Sequence, residues 1–306
     1  MPGTRVAPDR RRRRIVIAAL ATTAVVLGLV AAFAVSAGGP DGSDGSGDSV
    51  DVAGLPSAAP SAGRGVTLPA PHSVFDYQIG GGYAPASDVA VVDRDRSGSP
   101  VPGKYNICYI NGFQTQPGES SGWPAALLLH GPDGQRVEDP NWPDEYLLDT
   151  RTQAARNGIM NVLRPWLQDC ARKGFQAVEP DNLDSWARSD GMLTPQDNAA
   201  LAVDLVRAAH GLGLAVAQKN AVELAAVGKS RIGFDFAIAE ECHAQGECQG
   251  YVDTYAGRVF EIEYPDDGGS ANFQAACSAL GDRISIIYRD RKVVPAQQSG
   301  YLYRHC

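Results

Sequence analysis

Short apolar runs that end in charged or amide residues recur along the chain from about residue 74 onward. Residues 174–178 lead into Glu179-Pro180-Asp181-Asn182-Leu183-Asp184, residues 214–218 into Lys219-Asn220, residues 234–239 into Glu240-Glu241, and residues 259–262 into Glu263-Tyr264. Runs of this length bounded by polar residues read as strands buried on both faces. Pro180 has no N–H to give a ladder, so pairing is expected to stop there. Residues 74–79, 89–92, 105–111, 145–151 and 284–288 carry the same signal. Between these runs the period changes. Val162, Leu163, Trp166, Leu167 and Cys170 recur at helical spacing, in two pieces expected to split near Pro165. Thr194 before Pro195 marks a helix start, and Gly211 its end. Strand and helix in alternation specify a parallel sheet with helical crossovers. The rival is an open doubly wound sheet, but Gly80-Gly81-Gly82 lacks the spacing and helix onset of a dinucleotide loop. The fold class expected is a single (β/α)8 TIM-type barrel over residues 73–306.

The N-terminal stretch follows a different pattern. Residues 1–14 form a basic tail ending in five consecutive arginines, and residues 15–37 are uncharged and mostly apolar for 23 positions. That length suits a transmembrane anchor, while Val35-Ser36-Ala37 would suit the cut site of a signal peptide. Both readings export the remainder, and the anchor reading makes the membrane a partner through residues 15–37. Residues 38–72 are rich in Gly, Ser, Asp, Ala and Pro without apolar period, which predicts a flexible linker.

Charge and cysteines narrow the function. A net charge of −8 excludes nucleic acid as a main partner, since phosphate binding needs a basic face, and fits neutral or cationic substrates. Six cysteines all lie in the exported part, where disulfides form. Of the 15 possible pairings, Cys242–Cys248, Cys277–Cys306 and Cys108–Cys170 are the expected set. A Cys/His metal site using His243 is the weaker alternative, so no metal or cofactor is expected.

In a β/α barrel the strand C-termini share one mouth, and catalytic groups come from several of them. Asp181 and Glu240 end strands two apart, which sets them across that mouth. Opposed carboxylates are what glycoside cleavage uses: one protonates the leaving oxygen, and the other attacks the sugar or activates water. A lone strand-end carboxylate serves equally as a helix cap. Caps alone leave unexplained a ring that also holds Lys219, Asn220, Tyr109 and Tyr288.

The Glu179-Pro180-Asp181-Asn182-Leu183-Asp184 block, Lys219-Asn220, and the segment 234–242 with Glu247-Cys248 resemble signature segments of glycoside hydrolase family 114. So do residues 259–264, 107–110 and 142–151. The resemblance implies a barrel like that of endo-α-1,4-polygalactosaminidases, acting without metal on galactosamine polymers. By position it implies Asp181 as nucleophile and Glu240 as acid and base, with Glu241 pointing away or supporting. It places Tyr109, Asp149, Arg151, Glu179, Asn182, Asp184, Lys219, Asn220, Glu263 and Tyr264 around the sugar. Departures at Asn111-Gly112-Phe113 and in the proline-rich 114–145 loop bear on the choice of sugar. The expected protein is thus an exported, monomeric hydrolase of an aminosugar polysaccharide. A barrel that binds surface glycan without cutting it, or a glycosidase of other sugar specificity, is the alternative.

Overall fold

The computed structural model describes residues 65–306. Nine strands follow chain order across one sheet: β1 Phe75–Tyr77, β2 Val91–Asp95, β3 Tyr105–Asn111, β4 Ala177–Asp181, β5 Ala215–Lys219, β6 Phe236–Glu240, β7 Val259–Glu263, β8 Ser285–Arg289 and β9 Tyr303–His305. The first eight pair in parallel, and β9 adds antiparallel to β8. The sheet nearly closes into a TIM-type α/β barrel. At the seam the Arg289 guanidinium donates to Tyr77 O at 3.1 Å, and the Tyr303 hydroxyl donates to Phe75 O at 2.8 Å.

Helices follow the strands only from β3 onward: α1 Gln153–Lys173, α2 Pro195–His210, the short α3 Ala225–Val227, α4 Cys242–Gln245, α5 Cys248–Tyr255 and α6 Gly269–Leu280. The β1–β2 and β2–β3 connections are loops, so the expected eightfold repeat is incomplete. Alternation along each strand splits the apolar residues into two cores. Val91, Ile107, Ala217, Ile238, Ile262 and Ile287 fill the barrel, while Val178, Val216, Ala237 and Val259 face the helices.

Three local expectations change. Pairing does not stop at Pro180: β3 matches Ile110 with Pro180 and Asn111 with Asp181, whereas the β5 register ends at Val178. Asp181 O accepts from Gly112 N, so strand alternation turns the proline's missing donor toward β5, where it interrupts the ladder. Gly112 also permits close approach, because a Cβ there would stand 3.0 Å from Pro180 Cβ. Pro165 does not split α1, whose 21 residues run through it. Asn161, whose carbonyl loses its partner to the proline ring, lies on the exposed face of the helix, open to solvent. Residues 145–151 form no barrel strand. Leu147 and Leu148 make isolated bridges to Gln114 and Leu128 within the excursion between β3 and α1, and Leu147 packs with Leu129 and Leu193.

Residues 65–72, assigned to the linker, lie against the barrel: Tyr105 donates to Thr67 O, Arg258 to Pro69 O, and His72 N to Gly257 O. The folded part therefore begins before Ser73. The basic tail, the apolar segment 15–37 and the linker up to residue 64 lie outside the described residues. Among the described residues no helix is long and apolar enough to cross a membrane. All three expected disulfides are present, Cys108–Cys170, Cys242–Cys248 and Cys277–Cys306. Cys242, Cys248 and Glu261 group like metal ligands, but the disulfide consumes both sulfurs as thiolate donors.

Candidate active site

Inward-facing positions change from apolar to polar toward the strand C-termini. Above Ala217, Ile238 and Ile262 the next inward residues are Lys219, Glu240 and Tyr264, and on β3 and β4 they are Tyr109, Glu179 and Asp181. Lys219, almost fully buried, is the hub. Its ammonium lies 3.0 Å from Asp181 Oδ1, 3.1 Å from Glu240 Oε2 and 3.4 Å from Glu179 Oε1.

Each carboxylate is also fixed from its far side. Tyr109 donates to Asp181 Oδ2 at 2.7 Å, and Asn182 N to Oδ1 at 2.7 Å. Tyr264 donates to Glu240 Oε1 at 2.5 Å, and the Asn220 amide to Oε2 at 3.1 Å. Burial first, and then the neighbouring carboxylates, push the Tyr109 and Tyr264 hydroxyls well above the usual phenol value, so both remain donors. For Lys219 burial opposes the charge, but Asp181, Glu240 and Glu179 together raise it well above the usual lysine value.

The turn after each of these strands is alike. Asn182, Asn220 and Glu241, which follow Asp181, Lys219 and Glu240, have φ of 66°, 51° and 60°. Asparagine tolerates this left-handed region, and glutamate at such a position needs outside support. Glu241 has it, in an ion pair with Arg291 that includes a 3.0 Å contact. Arg291 also pairs with Asp266 at 2.8 Å and lies 4.0 Å over the Tyr264 ring. Through Arg291, Glu241 thus braces the tyrosine that holds Glu240.

Seven of the expected site residues form this cluster: Asp181, Glu240, Tyr109, Glu179, Lys219, Asn220 and Tyr264. Asn182 joins it through Asn111 at 2.8 Å and Arg188 at 2.9 Å. Glu179 is fully buried beneath Lys219 and takes a 3.0 Å bond from Tyr77, so it supports the lysine from below. Asp184 pairs with Arg188 at 2.8 Å on the rim.

At three expected places the side chains lie apart from this cluster. Glu263 shares the outward face of β7 with Glu261 and accepts from His243 N at 3.2 Å, Ala244 N at 3.3 Å and the Asn272 amide, so it anchors the helix layer. Strand parity makes this inevitable, because Ile262 faces inward. Asp149 and Arg151 bond each other at 2.7 Å at the head of α1, outside the cluster. Tyr288 likewise stacks on Phe273 in the helix layer.

Two neighbours of the site escaped the sequence reading. Asp93 ends an apolar run at an inward position of β2 and is fully buried beside Glu179, a signal that alternation on β2 carries. Glu145 is buried and accepts from Gln114 at 2.8 Å and Asn111 at 3.2 Å. Burial lifts its carboxyl to about 7 against the Gln114 bond, with Asp181 adding to the rise.

The glycoside-hydrolase family GH114 model matches residues 56–306. Among curated proteins none matches the chain. Two solved structures share the fold. The crystal structure of Aspergillus fumigatus Ega3 in complex with galactosamine has a TM-score of 0.64 and 21% identity, over 78% of this chain and 97% of that one. The glycoside hydrolase domain of PelA from Pseudomonas aeruginosa has a TM-score of 0.52 and 14% identity, over 74% and 98%. With the family model spanning the whole described barrel and its strand-end cluster, the chain belongs to glycoside-hydrolase family GH114.

Proposed function

We propose that this protein is an exported endo-acting hydrolase of α-linked, galactosamine-containing polysaccharide, with Asp181 as nucleophile and Glu240 as acid and base. The observation that carries the reading is the single Lys219 ammonium in contact with both carboxylates. It holds Asp181 Oδ1 and Glu240 Oε2 no farther apart than its two contacts together reach, about 6 Å. Carboxyl groups that close favour double displacement with retention, since inverting pairs stand about 6.5–9.5 Å apart to admit water.

The roles follow from the bonds. Lys219 and Tyr109 fix both oxygens of Asp181 and hold them for attack on the sugar carbon. Tyr264 and Asn220 fix Glu240 so that it can protonate the leaving oxygen and then take a proton from water. The galactosamine bound in the Ega3 crystal supports an aminosugar for this chain too. So does the acidic rim, where desolvation and then Glu223 and Asp184 raise the Glu247 carboxyl. Such a rim attracts a cationic, deacetylated polymer. Three disulfides among the described residues support export, with residues 15–37 as anchor or signal and residues 38–64 as tether.

The test is reducing-end release from a galactosamine polymer. Asp181→Asn and Glu240→Gln should each abolish cleavage while the melting transition stays in place. Full activity in both variants overturns the assignment. Polymer binding with no cleavage by the wild type would identify a glycan-binding barrel instead.

A further inference from the structure

Below the two carboxylates, in the barrel interior, a second pair of acids is closed off from solvent. Asp93 in the middle of β2 and Glu179 on β4 are both completely buried. Glu179 Oε1 is engaged by Tyr77 and Lys219, whereas Glu179 Oε2 and both Asp93 oxygens have no N–H or amide donor beside them. Two buried carboxyls left facing one another in this way are satisfied only by a proton between them. Fully ionised, Asp93, Glu179, Asp181 and Glu240 would place four negative charges around one ammonium.

The groups facing Asp93 are Glu179 and Asp181 from β4 and Lys219 from β5, with the Tyr77 hydroxyl from β1 bound to Glu179. Burial, and then Glu179, push the Asp93 carboxyl well above the usual carboxylate range; burial raises Glu179 too, opposed by the Lys219 charge and by its bond to Asp93. Glu179 has the Tyr77 hydroxyl at 3.0 Å and the Lys219 ammonium at 3.4 Å to hold its charge, and Asp93 has neither, so the proton is placed on Asp93.

We propose that Asp93 is a positioning residue of the hydrolase site: as a neutral acid it donates to Glu179, which pins Lys219 from below and so fixes the spacing of Asp181 and Glu240. Asp93 reaches no substrate, and its effect passes through two other side chains. This inference rests on the hydrolase reading for its kinetic consequences but not for its proton.

Two experiments test it. The first is the infrared difference spectrum between wild type and Asp93→Asn at neutral pH. A neutral carboxyl C=O band lost on substitution is the expected result, and it can be read whether or not the protein cuts any polymer. Absence of that band difference overturns the proposal. The second compares kcat, KM and the pH profile of Asp93→Leu and Asp93→Asn on galactosamine polymer. Asp93→Leu removes the donor, so kcat should fall about tenfold or more at little-changed KM, with the basic limb of the kcat profile displaced. The Asn amide still donates and is still uncharged, so Asp93→Asn should restore most of that loss and the wild-type limb. A wild-type pH profile in Asp93→Leu, or a limb displaced equally in Asp93→Asn, refutes the role. If Asp93→Leu does not fold, the infrared band and the Asp93→Asn limb still decide.

Discussion

Asn220 grips Glu240 twice: its carbonyl oxygen accepts from Glu240 N at 2.8 Å, and its amide donates to Glu240 Oε2 at 3.1 Å. One side chain on the neighbouring strand end thus sets both the backbone and the carboxylate of the proposed acid and base. Asn220 does this from a left-handed conformation, φ 51°, which separates its two roles experimentally. Glycine keeps the conformation and loses the grip. Asn220→Gly should therefore lower kcat by about 10- to 100-fold with stability near wild type. Asn220→Ala should lose the same activity and a further ~1 kcal/mol of stability, because alanine resists that φ. Steady-state kinetics and urea unfolding separate the two.

Lys219 offsets three carboxylates at once, which makes its removal a test of charge balance. Replacing a buried partner of an ion pair leaves uncompensated charge and costs about 3–5 kcal/mol. Lys219→Met keeps the volume, so the loss is electrostatic. The sign with pH follows from the groups left behind. Without the ammonium, folded-state values for the remaining acids rise above their unfolded ones, so stability is fully present at low pH and is lost as pH climbs through the raised values. The gap in urea midpoint between wild type and Lys219→Met should narrow in acid and widen toward neutrality. A gap that stays constant with pH would assign the lysine a packing role.

The barrel and the meeting of Asp181 with Glu240 at its mouth were legible because they rest on period and on chain order. Buried parallel strands show as apolar runs, and Asp181, Lys219 and Glu240 terminate three of them in succession. What the pattern hides is the parity of a strand end. Glu263 sits one residue past inward Ile262, so it faces the helices, while Tyr264 returns to the mouth. Asp93 has the opposite history: inward parity but no distinguishing sequence context, since Asp95 and Arg94 beside it look equally polar. Residues 145–151 misled for a different reason. Leu147 and Leu148 are both buried, one on each side of a folded excursion, and such a pair reads as a strand although it makes only isolated bridges.

Behind Tyr264 stands Arg291, which joins Glu241, Asp266 and the tyrosine ring in one unit. If the guanidinium acts on catalysis only by holding Tyr264 against Glu240, the two residues must be coupled. Tyr264→Phe removes the 2.5 Å donor and should reduce kcat about tenfold. Arg291→Ala should reduce it less, and the double variant should fall short of the combined effect by a coupling on the order of 1 kcal/mol. Strict additivity in the double-mutant cycle would detach Arg291 from the site.

Beside the candidate site, burial raises the Glu145 carboxyl toward neutrality. Its carboxyl sits at about 7 because burial, and further Asp181, outweigh the bonds from Gln114 and Asn111. A carboxyl raised in the fold favours the folded state most when protonated. That contribution is complete below the unfolded value of about 4.3, declines as pH rises, and is gone above about 7. At 1.36 kcal/mol per unit, a displacement of this size corresponds to roughly 3–4 kcal/mol of stability lost across the window. Glu145→Gln keeps the shape and cannot ionise, so its unfolding free energy should be flatter from about pH 4 to 7 and should exceed that of the wild type above pH 7. Parallel stability curves for the two proteins through neutrality would show that Glu145 ionises freely and that the loop between β3 and α1 exposes it to solvent.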